Sequence, residues 1–139
     1  MFQQPGDFKD ESEALFELIN ELSDDQLYRQ TQFKNWTIND IITHLHMWNW
    51  AADLSLNDES ALLEFIGQVK SKIPQIGMRK FETHWINGLA GQALVSRWRE
   101  YYTEMAARWV DADPRIRLKW AGPDMSVLSS ITARLMETW

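Results

Sequence analysis

Apolar residues recur every three or four positions along most of this chain, and nowhere do they alternate with polar ones over a run of β-branched positions. A period near 3.6 gathers side chains onto one stripe of an α-helix, whereas a half-buried strand needs a period of two. The chain is therefore expected to be all-α, with strand signals nearly absent. Its 139 residues suit one domain, residues 1–139, around one core, since folding at this size buries roughly 68% of the unfolded surface. Hydrophobic residues at 45% and charged residues at 24% place it among globular chains and exclude a disordered or collagen-like one.

The first helix is predicted from Asp7 to Leu22, with Phe8, Leu15, Leu18, Ile19 and Leu22 as its stripe and Asp10, Glu11 and Glu13 near its start, where the helix dipole favours acids. Ser23 caps a short turn ending near Tyr28, and a loop follows from Thr31 to Trp36. Thr37, with Asp40 three residues on, is the capping box of a second helix reaching about Leu54, whose face is Ile38, Ile41, Ile42, Leu45, Trp48 and Ala52. Asn57 caps a third stretch to about Lys72, and Pro74 with Gly77 interrupts the pattern before a helix over Met78 to Leu89. After Gly91 the longest stripe, from Leu94 through Trp98 and Tyr102 to Trp109, predicts a helix to Val110. Asp111 to Asp124, with Pro114, Gly122 and Pro123, reads as an irregular connection. Ser126 then caps a last helix with Leu128, Ile131, Leu135 and Trp139 on its face. That helix has neither a closing glycine nor a basic last turn, so the chain is expected to break off inside it.

Composition narrows the chemistry. The net charge of −6, with no basic run, argues against nucleic acid as a partner. Met1 to Asp10 is polar and acidic where a signal peptide needs a basic start and an apolar stretch, and no run approaches ~18 apolar residues, which predicts a cytoplasmic protein without a membrane span. Without cysteine, thiolate ligands and a thiol nucleophile are absent from this segment, and histidines 44, 46 and 84 are the main candidates for metal ligands. On the second helix His44 and His46 flank the apolar stripe on opposite sides, each about 90 to 110° away, so they do not face one site; a half-buried, hydrogen-bonded ring is the ordinary occupant of a flank. His84 reads as a surface or packing residue. Glu137, about 180° from Leu128, reads locally as a solvated carboxylate. Nothing in the sequence brings it to Asp40 as an acid and base pair. Eight tryptophans are many for this length; Trp48, Trp50 and Trp120 are candidates for a pocket wall, with core packing the commoner role. No phosphate-binding glycine loop and no GxSxG element occurs.

Two strings carry more than periodicity. Trp36-Thr37-Ile38-Asn39-Asp40-Ile41-Ile42-Thr43-His44-Leu45 resembles the W-T-[VI]-x-D-[VIL]-[VIL]-x-H-L segment of the N-terminal domain of mycothiol-dependent maleylpyruvate isomerase, a branch of the DinB/YfiT-like metal-binding bundles. Trp120-Ala121-Gly122-Pro123-Asp124-Met125-Ser126 and Thr132-Ala133-Arg134-Leu135-Met136-Glu137-Thr138-Trp139 are similar to stretches of a subgroup of that family, as is Leu94 to Arg99. The resemblance implies an up-and-down four-helix bundle of DinB-like type. It also implies one divalent metal, zinc first among candidates, held by a histidine on the second helix and a Glu-x-x-x-His pair on the last. Carried over by position, the ligands are His44 and Glu137, with the third a histidine four residues beyond Glu137 and so past Trp139.

A glutamate and a histidine at i and i+4 share one helix face, and a histidine from a neighbouring helix closes a triangle in a bundle core, an open arrangement more typical of catalysis than of structure. Small residues Ser129, Ser130 and Ala133 leave room for a cavity beside Glu137. The function implied is a metal-dependent isomerase or transferase acting on a small molecule with a low-molecular-weight thiol such as mycothiol. The alternatives are a non-catalytic metal-binding or sensing module, and a structural partner pairing as a homodimer.

Overall fold

The computed structural model describes residues 2–138. Seven helices lie among them: α1 (Gln4–Ile19), α2 (Asp24–Leu27), α3 (Ile38–Asn57), α4 (Glu59–Ile76), α5 (Met78–Ile86), α6 (Gly91–Trp109) and α7 (Val127–Thr138). No helix among the described residues is long and apolar enough to cross a membrane. Four of the helices form the bundle, α1 and α3 each packing against both α6 and α7. Phe8, Ile42, Leu45, Trp98, Tyr102, Trp109 and Ile131 meet in its core. The all-α bundle is as the sequence leads one to expect.

Its connectivity is less simple than up-and-down. Gly91 N donates to the Asn39 side chain, which joins the starts of α6 and α3, while Arg108 near the end of α6 pairs with Asp53 near the end of α3, so these two helices run parallel. Gln92 Nε2 donates to Ile19 O, and Tyr102 and Arg99 reach Glu13, so α1 runs against them. Glu137 at the end of α7 stands beside His44 in the first half of α3, so α7 runs against α3. The order is up, down, down, up. The reversal is made by α4, which returns along α3 with Phe65 edge-on to Trp48 and Trp50, and by α5 beside it. A second apolar cluster of Met47, Trp48, Leu62, Phe65, Ile66 and Phe81 seals this layer. α3 is thereby covered on both sides, which buries polar Thr43, His46, Asn49 and Asp53 along with its apolar face.

Several boundaries shift. α1 begins at Gln4, with Pro5 in the first turn where its missing N–H costs nothing, and ends at Ile19; Leu18, expected on the stripe, is 76% exposed. α4 is capped by Asp58 and continues through Pro74 to Ile76, while Asn57 bonds back to Asp53 instead. The connection after α6 holds a short antiparallel ladder, β1 (Arg117–Leu118) with β2 (Met125–Ser126), closed around Gly122-Pro123 and tied by Arg117 to Asp124 O. A ladder of two residues is too short to leave an alternating pattern in sequence. Trp139, and with it the expected break inside the last helix, lies outside the described residues.

Candidate functional site

The site forms where α3 begins and α7 ends. Thr37 Oγ1 accepts from Asp40 N and Asp40 Oδ2 accepts from Thr37 N, each at 3.0 Å, which sets the first turn of α3. Asp40 is occupied by this cap and does not meet Glu137. Two turns into the helix, the His44 ring stands between two carboxylates. Its Nδ1 lies 2.6 Å from Glu82 Oε2, and its Nε2 faces Glu137 Oε2 at 3.6 Å. Glu82 comes from α5 and is 2% exposed; the same oxygen accepts from Trp48 Nε1 at 2.9 Å. Glu137 Oε2 is 2.7 Å from Arg134 Nη2.

These neighbours set the electrostatics. Burial works against a charged His44 ring, but the carboxylates of Glu137 and Glu82 outweigh it and hold its pKa up at about 9. Burial would raise the Glu137 pKa, yet His44 and Arg134 together keep it below the ordinary glutamate value. The space between the two acids therefore favours positive charge.

Glu137 reaches this place because α7 is rotated from the orientation its leucines suggest. Its buried residues are Val127, Ser130, Ile131 and Arg134, while Leu128 is among the exposed large apolar residues. Positions 127, 130, 131 and 134 are spaced i, i+3, i+4 and i+7, and 137 continues that stripe. A wheel centred on Leu128 and Leu135 points Glu137 away from the bundle; the packed helix leaves it 41% exposed at the bundle's rim but turned toward His44.

A half-open cleft of about 600 Å³ leads to the pair, walled by Trp36, Ile41, Leu45 and Met78, with Lys34 at its side. Trp36 meets the His44 ring edge-on with centroids 5.5 Å apart. The loop carrying it is closed by Thr31 N to Trp36 O at 2.7 Å and turns through Lys34 and Asn35, both at positive φ. A second groove of about 700 Å³ runs over Lys9, Glu13 and Arg99, but its acid and guanidinium are already paired with each other.

Of the other candidates, His46 is buried against Trp85 and Tyr101, away from His44's partners, and burial brings its pKa down to about 4. His84 is exposed. Trp48 and Trp120 pack edge-on, as do Trp50 and Phe65, so all three expected pocket tryptophans serve the second apolar cluster, and Trp36 forms the wall instead. Tyr101, Arg108 and Trp109 converge on Asp53, a tie between α3 and α6. Glu82 is the residue that sequence reading missed. The available signal was an acid beside Phe81 on a helix with an apolar face, which is too common to single out.

A divalent cation sets definite distances between its donors. Two donors each about 2.0–2.2 Å from a tetrahedral ion stand roughly 3.4 Å apart, close to the 3.6 Å between His44 Nε2 and Glu137 Oε2. A carboxylate behind the other ring nitrogen is the usual companion of a metal-bound histidine. The set fits at two positions. Among the described residues no three His, Cys, Asp or Glu side chains group to hold a metal ion, because Glu82 meets the far edge of the ring. The third expected ligand, four residues past Glu137, lies outside the described residues.

The family described as Mycothiol maleylpyruvate isomerase N-terminal domain matches residues 8–139. Two curated relatives, uncharacterized proteins from two strains of Mycobacterium tuberculosis, are each 28% identical over 133 residues, covering 96% of this chain and 51% of their own length. The chain thus spans about half the length of the curated relatives it matches. No solved structure matches it significantly.

Proposed function

Because the chain belongs to the mycothiol maleylpyruvate isomerase N-terminal domain family, we propose that it binds one divalent metal, zinc first, and serves an isomerase or transferase reaction of a small molecule with a low-molecular-weight thiol such as mycothiol. The observation that carries this reading is the facing pair His44 Nε2 and Glu137 Oε2, brought from two bundle helices to line one apolar cleft. A histidine four residues past Glu137 would complete the ligand set in a longer chain. A metal bound there supplies a positive charge that lowers the pKa of a coordinated thiol or water.

The chain's own residues divide the remaining work. His44 would give up its Nε2 proton on binding and, with the anionic Glu137 oxygen, offer a lone pair to the cation. Trp36, Ile41, Leu45 and Met78 keep the cleft apolar, which strengthens charge interactions inside it. Arg134 balances the Glu137 carboxylate from the bundle side. Lys34 at the side of the cleft gives a small anionic substrate a partner.

Elemental analysis of purified full-length protein tests the metal, with about one equivalent expected and loss of it in His44→Ala. Screening metal-replete protein with low-molecular-weight thiols and small electrophiles tests the chemistry. A metal-replete protein inert across that screen leaves the second reading, a metal-binding or sensing module. That reading has support from Arg134, whose guanidinium shares the Glu137 oxygen a cation would use and so suits reversible binding. A metal-free full-length protein rejects both.

A further inference from the structure

We propose that Glu82 is a positioning residue for the metal centre, fixing the His44 ring so that Nε2, and never Nδ1, is presented to Glu137; this rests on reading the site as a metal centre. An imidazole on a flexible Cβ can turn over about its χ2 bond and offer either nitrogen, and a ligand that samples both edges binds a cation more weakly than one held in place. In this chain the choice is made from outside the four-helix bundle. Glu82 stands on α5, in the layer that covers α3, and its Oε2 is 2.6 Å from Nδ1. Against a carboxylate Nδ1–H donates, and once a cation displaces the Nε2 proton the lone pair left to bind it is on Nε2.

The carboxylate is itself held. Trp48 lies four residues after His44 on the same face of α3, and its Nε1 donates to the same Glu82 oxygen at 2.9 Å. Glu82 is 2% exposed, with Phe65 against Phe81 in the packed cluster beside it. Turning the ring over would put a carbon against that oxygen and leave a buried carboxylate with one donor fewer, which is costly in a dry environment. Trp36 packs edge-on against the ring and resists the same motion. A plain packing tie between α3 and α5 would be served by apolar side chains. An acid buried on one ring nitrogen, with the other nitrogen facing the cleft, matches the carboxylate–histidine–metal arrangement.

The test uses full-length protein with zinc(II) and cobalt(II) as probes. Glu82→Gln keeps the shape and can still accept from Trp48. It should lower the affinity for zinc by roughly 10- to 100-fold, and the cobalt spectrum should show altered coordination. A second readout needs no metal. The His44 Nδ1–H proton, held against a carboxylate, should give a downfield NMR signal in wild type that moves upfield in Glu82→Gln, whose neutral oxygen accepts more weakly, and vanishes in His44→Ala. Zinc affinity within twofold of wild type in folded Glu82→Gln, or a proton signal unshifted there, overturns the assignment while leaving the metal centre standing. Should Glu82→Gln not fold, Glu82→Asp decides: it keeps the charge but withdraws the carboxylate by one methylene, and wild-type zinc affinity there would also overturn it. If wild type takes up neither metal, the metal reading is what fails, and this inference falls with it.

Discussion

Glu82 and His44 are 38 residues apart in sequence and 2.6 Å apart in space, joined through an oxygen that also receives the Trp48 indole. The contact ties the layer of α4 and α5 to the bundle at the point where the candidate ligand stands. Two helices outside the bundle therefore bear on the site within it, and substitutions there should be felt in ligand binding.

Glu137→Gln tests the α7 side of the site. Gln keeps the size and can still accept from Arg134, but loses the charge that faces His44 Nε2. Zinc affinity of the full-length protein, followed by competition with a chelating dye, should drop more than the roughly 10- to 100-fold that loss of a residue behind a ligand causes, with thermal stability close to wild type.

Asp53→Ala tests the tie between α3 and α6. The buried carboxylate accepts from Tyr101 Oη at 2.8 Å, Arg108 Nη2 at 2.6 Å and Trp109 Nε1 at 2.9 Å. Removing it strands the Trp109 indole N–H in the core and leaves the half-exposed Arg108 guanidinium only its 4.0 Å pairing with Glu104. Urea unfolding should show a loss of about 3 kcal/mol, with Asp53→Asn losing less because an amide oxygen still accepts.

Gly91→Ala tests the entry to α6. Gly91 has φ +63, and a Cβ there would stand 2.5 Å from Asp24 Oδ1 and 2.6 Å from its Cγ, on the side chain that accepts from Gln92 N. Both backbone strain and crowding oppose the substitution, so a loss of about 1–3 kcal/mol is expected in the same assay.

Glu13→Gln carries a pH signature. Its hydrogen bond to Arg99 is the largest cause of a lowered Glu13 pKa; burial opposes it, and the Tyr102 hydroxyl adds to the lowering. A carboxyl whose folded pKa lies below its unfolded value stabilises the fold above that unfolded value, and the contribution is lost as pH falls through the folded pKa. Wild type should exceed Glu13→Gln by at most about 1 kcal/mol at pH 7, because solvent screens the half-exposed pair with Arg99. The gap should close as pH drops below the ordinary value of 4.5; a gap unchanged at pH 3 would contradict the assignment.

Helix positions were largely legible in the chain because caps and periodicity are local. The Thr37–Asp40 capping box and the Leu94 to Trp109 stripe both appear in the fold as the sequence implies. The failures share a cause. Leu18 and Leu128 are apolar yet exposed, and Arg134 and Ser130 are polar yet buried, because which face of a helix is covered depends on its neighbours. The rotation of α7 set by that packing is what brings Glu137, still 41% exposed, to face His44.

Periodicity and caps establish that the chain is helical and where its main helices begin, and resemblance gives the reason to read His44 and Glu137 together. Those properties reside in residues within a turn or two of each other, or in strings that match a family. Only the tertiary structure decided the parallel run of α3 and α6, the covering of α3 by α4 and α5, the wall made by Trp36, and the placing of Glu82 behind His44. Each of these is a contact between segments far apart in the chain, whose energy comes from burial and charge pairing that no local pattern encodes.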